Sequence, residues 1–185
     1  MQPVEFLGFA ADCTISGKIT MFGERLTDFL NGQERFRVHH VECESLLDGH
    51  RVEVDSISIE RNDLLAVMAT GPRGSEKHRV SLKTDRLQVS AGPYLILGRL
   101  HFTPGTDAVS SVLSRDAMIP FTNATIAYEV AGAIVARDVS TIIVNRFLMD
   151  WISPADEAAT ILPEVVVRSP FAAQLHREHG RRSST

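Results

Sequence analysis

The chain has 185 residues, of which 44% are hydrophobic and 23% charged, and its mean hydropathy is zero. This composition can bury enough apolar surface to offset the entropy of ordering, so we expect a globular chain that is ordered except at its ends. A formal net charge of −4 and an aromatic content of 6% give no indication of a basic face and argue against nucleic-acid binding.

The beginning of the chain, MQPVEFLGFAADCTISG, has no basic segment followed by a long apolar run. No window reaches the roughly 18 consecutive apolar residues of a membrane span. We therefore expect a soluble, cytoplasmic protein that does not enter a membrane. Cys13 and Cys43 are the two cysteines and form no CxxC pair, so two free, buried thiols are expected.

The first half of the chain predicts strands and one short helix. Alternating runs occur in ISGKITM, RFRVHHVECESL and RVEVDSISIE, and the last two are joined by an Asp48–Gly49 turn, which predicts a hairpin. The segment ERLTDFLNG places Leu26, Phe29 and Leu30 on one helical face.

The second half repeats this order of elements. ILGRLHFTPG, the helical segment DAVSSVLSRD, MIPFTNATIAYEV and DVSTIIVN follow one another with similar spacing. The helical segment places Val109, Val112 and Leu113 on one face. These similarities predict a diverged tandem duplication, in which residues 10–68 superpose on residues 92–152. The matched residues are Gly17 with Gly98, Leu30 with Leu113, Phe36 with Ile119, Val38 with Phe121, Val54 with Val139, Ile57 with Ile142, and Arg61 with Arg146.

A single short helix in each unit cannot stand alone and has to pack on a bent sheet. The predicted fold is therefore mainly β, with two tandem small β-barrel or half-barrel units that each carry one short helix. We place the first unit at residues 1–70, a Gly- and Pro-containing linker at 71–79, the second unit at 80–154, and a C-terminal extension with a mobile basic tail at 155–185.

The segments ILGRLHF, MIPFTNATI and STIIVNRFLMDWISP resemble a small uncharacterised bacterial domain of about ninety residues. The first half departs from this pattern, with Arg37 where Pro120 stands and Asn62 where Phe147 stands. The resemblance implies a bacterial origin and a shared fold unit, and it implies no activity, cofactor or site.

The sequence gives only weak signals for catalytic or metal-binding residues. The stretch HHVEC contains His39, His40, Glu42 and Cys43, but a strand would put His39 with Val41 and Cys43 on one face and His40 with Glu42 on the other. His39 and Cys43 would then be about 13 Å apart at ~3.3 Å per residue, too far to share one ion. The histidines of HREHG lie in the tail, and no GxSxG, P-loop, GxGxxG or HExxH motif is present. We expect no bound metal, no cofactor and no enzymatic activity.

A possible interaction surface lies in the most apolar stretch of the second half, FLMDW. Alternation would place Phe147, Met149 and Trp151 on one face, either in the core or on an association surface. Phe121 and Ile119 are expected in the core, with Thr122 and Asn123 turning the chain; an exposed Phe121 would instead anchor a binding edge.

The function predicted from these observations is a non-catalytic interaction, assembly or regulatory module that binds a protein partner or a second copy of itself. The alternative is a small barrel that binds a ligand or a nucleic acid, and an enzyme with an unrecognised site ranks third. A flat apolar surface or a free strand edge would favour the interaction module. A deep polar pocket or a basic groove would favour the ligand- or nucleic-acid-binding barrel.

Overall fold

A computed structural model describes residues 2–23, 25–70 and 82–161. The fold is mainly β, as the sequence predicts. The elements of the first half are β1 (Gln2–Phe9), β2 (Cys13–Met21), α1 (Leu26–Gly32), β3 (Arg35–Ser45), β4 (Arg51–Glu60), a 3-10 turn (Arg61–Asp63) and β5 (Ala66–Met68). Those of the second half are β6 (Lys83–Ala91), β7 (Tyr94–Phe102), α2 (Ala108–Leu113), β8 (Met118–Val130), β9 (Ala133–Asn145), a 3-10 turn (Arg146–Leu148) and β10 (Trp151–Pro154).

The ten strands form one antiparallel sheet in the order β10-β6-β7-β8-β9-β5-β1-β2-β3-β4. Each half contributes its strands in the same order, with the fifth strand beside the first. The described strands form an open row, so closure into two separate barrels, one of the two expected forms, is not seen. The physical reason is that β5 pairs with β1 on one side and with β9 of the second half on the other, which joins both halves in a single sheet.

Two hydrophobic cores lie on opposite faces of this sheet. Side chains alternate along the strands at the junction, so that Ala66 packs into one core and Val67 into the other, and Ile142 and Ile143 divide in the same way. The strands at the junction are therefore buried on both faces, which explains why β5 and the end of β9 read as continuous apolar runs. One core is built mostly from the second half and the other mostly from the first.

Both halves contain a β-bulge at the same place. The pairing register shifts between Ser16 and Lys18 on β2 and between Leu97 and Arg99 on β7. The bulged residues His40 and Asn123 have φ of 50° and 47°, a region that His and Asn tolerate better than most residues. The prediction that Thr122 and Asn123 turn the chain is wrong, because β8 continues through this bulge.

The two short helices lie where they were predicted, but the buried face of α2 differs from the prediction. The Asp107 side chain accepts a hydrogen bond from the backbone N–H of Ser110 and caps α2. Hydrogen bonds from the Ser110 hydroxyl and, next, from the Ser110 N–H lower the pKa of the Asp107 carboxyl. With the helix beginning at Ala108, the buried residues are Ala108, Ser111 and Val112, and Leu113 is exposed. Leu30 therefore corresponds to Val112 by burial and not to Leu113.

Polar and aromatic contacts tie the halves together beside the β5–β9 pairing. The Asn31 amide donates to the backbone C=O of Met118 at 3.0 Å and accepts from its N–H at 2.9 Å. Phe9 packs against the rings of Tyr94 and Tyr128, with centroids 5.3 and 5.7 Å apart. The Tyr94 hydroxyl donates to the C=O of Ala10 at 2.7 Å. The halves therefore share a buried and specific interface.

We expect Asn31→Ala to lower the free energy of unfolding by about 1–3 kcal/mol, because it leaves the N–H and C=O of Met118 without their side-chain partner. Urea denaturation followed by circular dichroism measures this change. Asn62→Ala, at an exposed asparagine, is the control and should change stability by less than about 0.5 kcal/mol. Equal effects of the two substitutions would contradict the role of Asn31 at the junction.

The linker predicted at residues 71–79 and the tail from residue 162 onward lie outside the described residues. The extension is described as far as Ile161, which packs against Leu95 and Ala127 on the second half. Arg86 donates to the backbone C=O groups of Glu157 and Ala159, and Arg99 forms an ion pair with Glu157. Residues 155–161 therefore cover part of the outer face of the second half.

Candidate interaction surface

Among the strands that the structure describes, β10 forms one free edge of the sheet. It pairs with β6 from Trp151 to Pro154, and the N–H of Ala155 donates to the C=O of Arg86 at 2.9 Å immediately beyond this ladder. In an antiparallel ladder every second residue turns its N–H to the same neighbour. Trp151 and Ser153 therefore bond to β6, whereas Ile152 and Pro154 direct their backbone nitrogens to the open side.

Two of the predicted surface residues are exposed at this edge. Phe147, in the 3-10 turn before β10, is 63% exposed and Trp151 is 41% exposed. Met149 is half-buried and packs against the core of the second half. Phe121 is fully buried in the same core, so it is a packing residue and is not available to a partner.

Leu113 is a further exposed apolar side chain in this region, and it was not among the predicted surface residues. It ends α2, which packs against β10, and it is 66% exposed. The sequence pattern assigned it to the buried face of the helix. The signal that could have corrected this is the Asp107 cap, because a helix that begins at Ala108 turns Leu113 away from its buried face.

We call Leu113, Phe147 and Trp151 the β10 surface. Trp151 shares a face with Leu95 and Ala127, opposite the face on which α2 packs. Trp151 and Leu113 therefore flank the edge from opposite faces of the sheet.

The backbone of the β10 surface is held by specific contacts: Asn145 accepts from the N–H of Phe147 at 3.2 Å, and the Asp150 carboxylate accepts from the N–H of Gly92 at 2.8 Å. The guanidinium of Arg146 lies 4.0 Å from the centre of the Phe147 ring. Exposed apolar groups on a fixed backbone, with charged groups beside them, are typical of a protein-binding patch.

The opposite free edge, β4, has a different character. It carries ion pairs of Glu60 with Arg35 and of Arg51 with Glu44. Val52 and Val54 are exposed, at 49% and 41%, but they alternate with the charged side chains of Arg51, Glu53 and Asp55. Charged side chains along an edge discourage strand addition. The two edges of the sheet are therefore chemically distinct.

A polar groove of about 280 Å³ lies on the first half, beside β9. Thr14, Ser16, Glu42, Glu44, Arg51 and Arg137 contribute to its lining. Arg51 reaches Glu44 at 2.9 Å and Glu42 at 3.4 Å, so the acidic groups are already paired within the chain. The groove can accommodate a small polar molecule but offers no concentrated charge to hold one.

The HHVEC stretch does not have the geometry predicted for it. The bulge at His40 shifts the alternation by one residue, so that Val38 and Val41 are both buried and His39 and His40 are both exposed. The prediction that His39 shares a face with Val41 and Cys43 is therefore wrong. Within the described ranges no group of three or more His, Cys, Asp or Glu residues is placed to hold a metal ion.

Cys13 and Cys43 are free and half-buried. Burial, followed by the nearby charge of Asp12, raises the pKa of the Cys13 thiol to about 12. Burial also raises the pKa of the Cys43 thiol. Both side chains stay protonated at neutral pH, so neither is suited to act as a nucleophile.

None of the helices in the described part of the chain is long and apolar enough to span a membrane. Comparisons with known proteins find no matching family, no matching curated protein and no matching solved structure.

Proposed function

We propose that this chain is a non-catalytic interaction module that binds a protein through the β10 surface. The observation that carries the proposal is the exposure of Leu113, Phe147 and Trp151 on three adjoining elements at one free edge. Apolar groups of this size, aromatic rings above all, are enriched where proteins meet, because desolvating them is favourable and costs little side-chain entropy. We further propose that the protein acts in the cytoplasm of a bacterium.

The proposal includes the origin of the fold. We infer that the halves are diverged tandem copies of one half-barrel unit. The repeated order of elements, the repeated strand order and the bulges at His40 and Asn123 support duplication. A further parallel is that Arg61 and Arg146 each begin a 3-10 turn, and their N–H groups bond to the C=O groups of Glu34 and Ala117. Duplication explains why a strand edge that is covered in one unit recurs uncovered in the other.

The polar groove favours a second candidate function, the binding of a small polar ligand. Thr14 and Ser16 supply hydroxyl groups, and Arg137 supplies a guanidinium. The pairing of Arg51 with Glu42 and Glu44 weakens this candidate, because a charged ligand would have to displace those contacts. The acidic groups also make the groove a poor site for a nucleic acid.

Site-specific photo-crosslinking tests the proposed function. A photoreactive phenylalanine analogue placed at position 147 or 151 should give discrete crosslinked protein species in cells of the source organism. The same analogue at position 22 or 47, where Phe22 and Leu47 are 76% and 70% exposed away from β10, is the matched control. Equal crosslinking from all four positions, or none from positions 147 and 151, would exclude the β10 surface as a binding site.

A further inference from the structure

The strand β10 occupies the place in the second half that β5 occupies in the first. Each follows a 3-10 turn and pairs with the first strand of its own half, and the registers correspond: Ala66 pairs with Phe9, and Trp151 pairs with Ser90. Ile152 therefore corresponds to Val67. The difference is on the other side, where β9 covers β5 and no described strand covers β10.

The β5–β9 pairing shows how the outer side of such a strand pairs with a neighbouring strand. It consists of three residue pairs, Ala66 with Val144, Val67 with Ile143 and Met68 with Ile142. Flanking bonds run from Asn145 N–H to the C=O of Leu65 at 2.9 Å and from Ala69 N–H to the C=O of Thr141 at 3.0 Å. Val67 and Ile143 are fully buried as a result. A three-residue strand therefore supplies the backbone pairing at the junction of the two halves, beside the contacts of Asn31, Phe9 and Tyr94.

We propose that β10 pairs with β10 of a second copy of this chain, antiparallel, about a two-fold axis at Ile152. This inference rests on the proposed function and names its partner. Ile152 has the one complete outward pair of backbone groups in the strand, because Pro154 has no N–H. Centring the pair on Ile152 lets each copy donate its Ile152 N–H to the Ile152 C=O of the other.

The two-fold arrangement also brings the β10 surfaces of both copies together. Trp151 of one copy lies opposite Ser153 of the other, and Leu113 and Phe147 are exposed on the elements that flank β10 in each copy. Closed two-fold contacts of this kind are the commonest form of self-association.

In a head-to-tail contact, β10 of one copy would pair with β4 of the next. The polar residues beside β4 disfavour this contact. At the internal junction, Ala117, Met118 and Ile143 are buried in the core of the first half. The corresponding residues beside β4 are Glu34, Arg35 and Ser58, which are exposed and polar. Apolar groups of the β10 surface would meet charges there. Pro154 further limits the pairing to a short segment, which favours a discrete dimer over a growing sheet.

The mass of the purified chain in solution tests this proposal. Light scattering across a range of protein concentrations should show a shift toward twice the 20.4 kDa chain mass. Trp151→Arg and, separately, Phe147→Glu should each weaken this association roughly tenfold or more, as loss of a central aromatic contact does. Val54→Arg on β4 is the matched control and should leave it unchanged. Circular dichroism checks that each variant folds.

A pair of cysteines tests the register. In the two-fold arrangement Trp151 and Ser153 of opposite copies form a non-hydrogen-bonded pair, whose Cα atoms lie about 4.5 Å apart and can accept a disulfide. The double variant Trp151→Cys with Ser153→Cys should form a disulfide-linked dimer on mild oxidation at high protein concentration, which offsets the weaker association without Trp151, whereas each single variant should not.

A monomer at every concentration, or a dimer that folded Trp151→Arg protein forms as tightly as the unchanged chain, would overturn the proposal, as would loss of association in Val54→Arg. The two proposals can be distinguished. Crosslinks from positions 147 and 151 to a different protein, with this chain monomeric, would contradict the dimer but support the proposed function.

Discussion

Phe121→Ala should lower the free energy of unfolding by roughly 3–5 kcal/mol, as truncation of a buried aromatic residue does. Phe121 has no exposed surface and lies in the core of the second half among Leu100, Ile119 and Ile142. It follows Pro120 and precedes the bulge at Asn123, so the backbone around it is specified from both sides. The cavity left by the ring cannot collapse easily at such a position, and its cost adds to the lost burial.

Urea denaturation of Phe121→Ala measures this loss, and Phe22→Ala is the matched control because Phe22 is 76% exposed. The control should change stability by less than about 0.5 kcal/mol. Thr122→Ala removes the contact between the Thr122 hydroxyl and His101 Nε2 at 2.8 Å and should cost about 1 kcal/mol. A change of less than about 1 kcal/mol in Phe121→Ala would contradict the burial of the ring.

The element types could be predicted from the sequence because each depends on local pattern. Alternating residues predicted β2, β3, β4, β7, β8 and the second part of β9, whereas β1 and β6 were not identified. Asp48–Gly49 predicted the β3–β4 hairpin, and the spacing of Leu26 and Leu30 predicted α1. The joining of the halves through β5 and β9 could not be predicted, because β5 has three residues and its pairing partner lies more than seventy positions away. Pairing between short, distant segments leaves no periodic signal.

The candidate site was predicted in part. Phe147 and Trp151 were identified because large apolar residues alternate there, whereas Leu113 was assigned to the core and Phe121 was kept as a possible anchor. Periodicity identifies which residues share a face, but burial depends on what the rest of the chain places against that face. In the described part of the chain β5 has such a neighbour and β10 has none, although both strands are apolar.

The comparison of β5 with β10 also supports the proposed interaction role. On the proposed duplication, a fifth strand that needs a neighbour is left uncovered in one of the two units, unless an edge residue protects it or a second molecule binds. Pro154 protects the edge in part, because it removes one backbone donor. Trp151 and Phe147 remain exposed and are available to a second molecule. Protection alone would favour charged residues at these positions, as on β4, so the exposed aromatic residues favour binding.

Gly17→Ala should destabilise the protein by about 1–3 kcal/mol or more, because the bulge of β3 packs directly on this residue. An added Cβ would lie 2.7 Å from Cγ1 of Val38 and 2.8 Å from the backbone O of His39. Both distances are below van der Waals contact, and the His39 carbonyl belongs to the backbone ladder, which cannot move without breaking the β2–β3 pairing. The requirement is therefore for space and not for an unusual backbone angle.

Two further glycines supply the comparison, again by urea denaturation. At Gly98, the corresponding position, an added Cβ would lie 3.0 Å from Cβ of Ala124 and of Phe121, so Gly98→Ala should also be destabilising, but less than Gly17→Ala. At Gly32, which ends α1, nothing lies within 4 Å, so Gly32→Ala should be neutral or stabilising by up to about 1 kcal/mol through the unfolded state. If Gly17→Ala were as mild as Gly32→Ala, β3 would not pack closely on β2, and the equivalence of the two bulges would lose its physical basis.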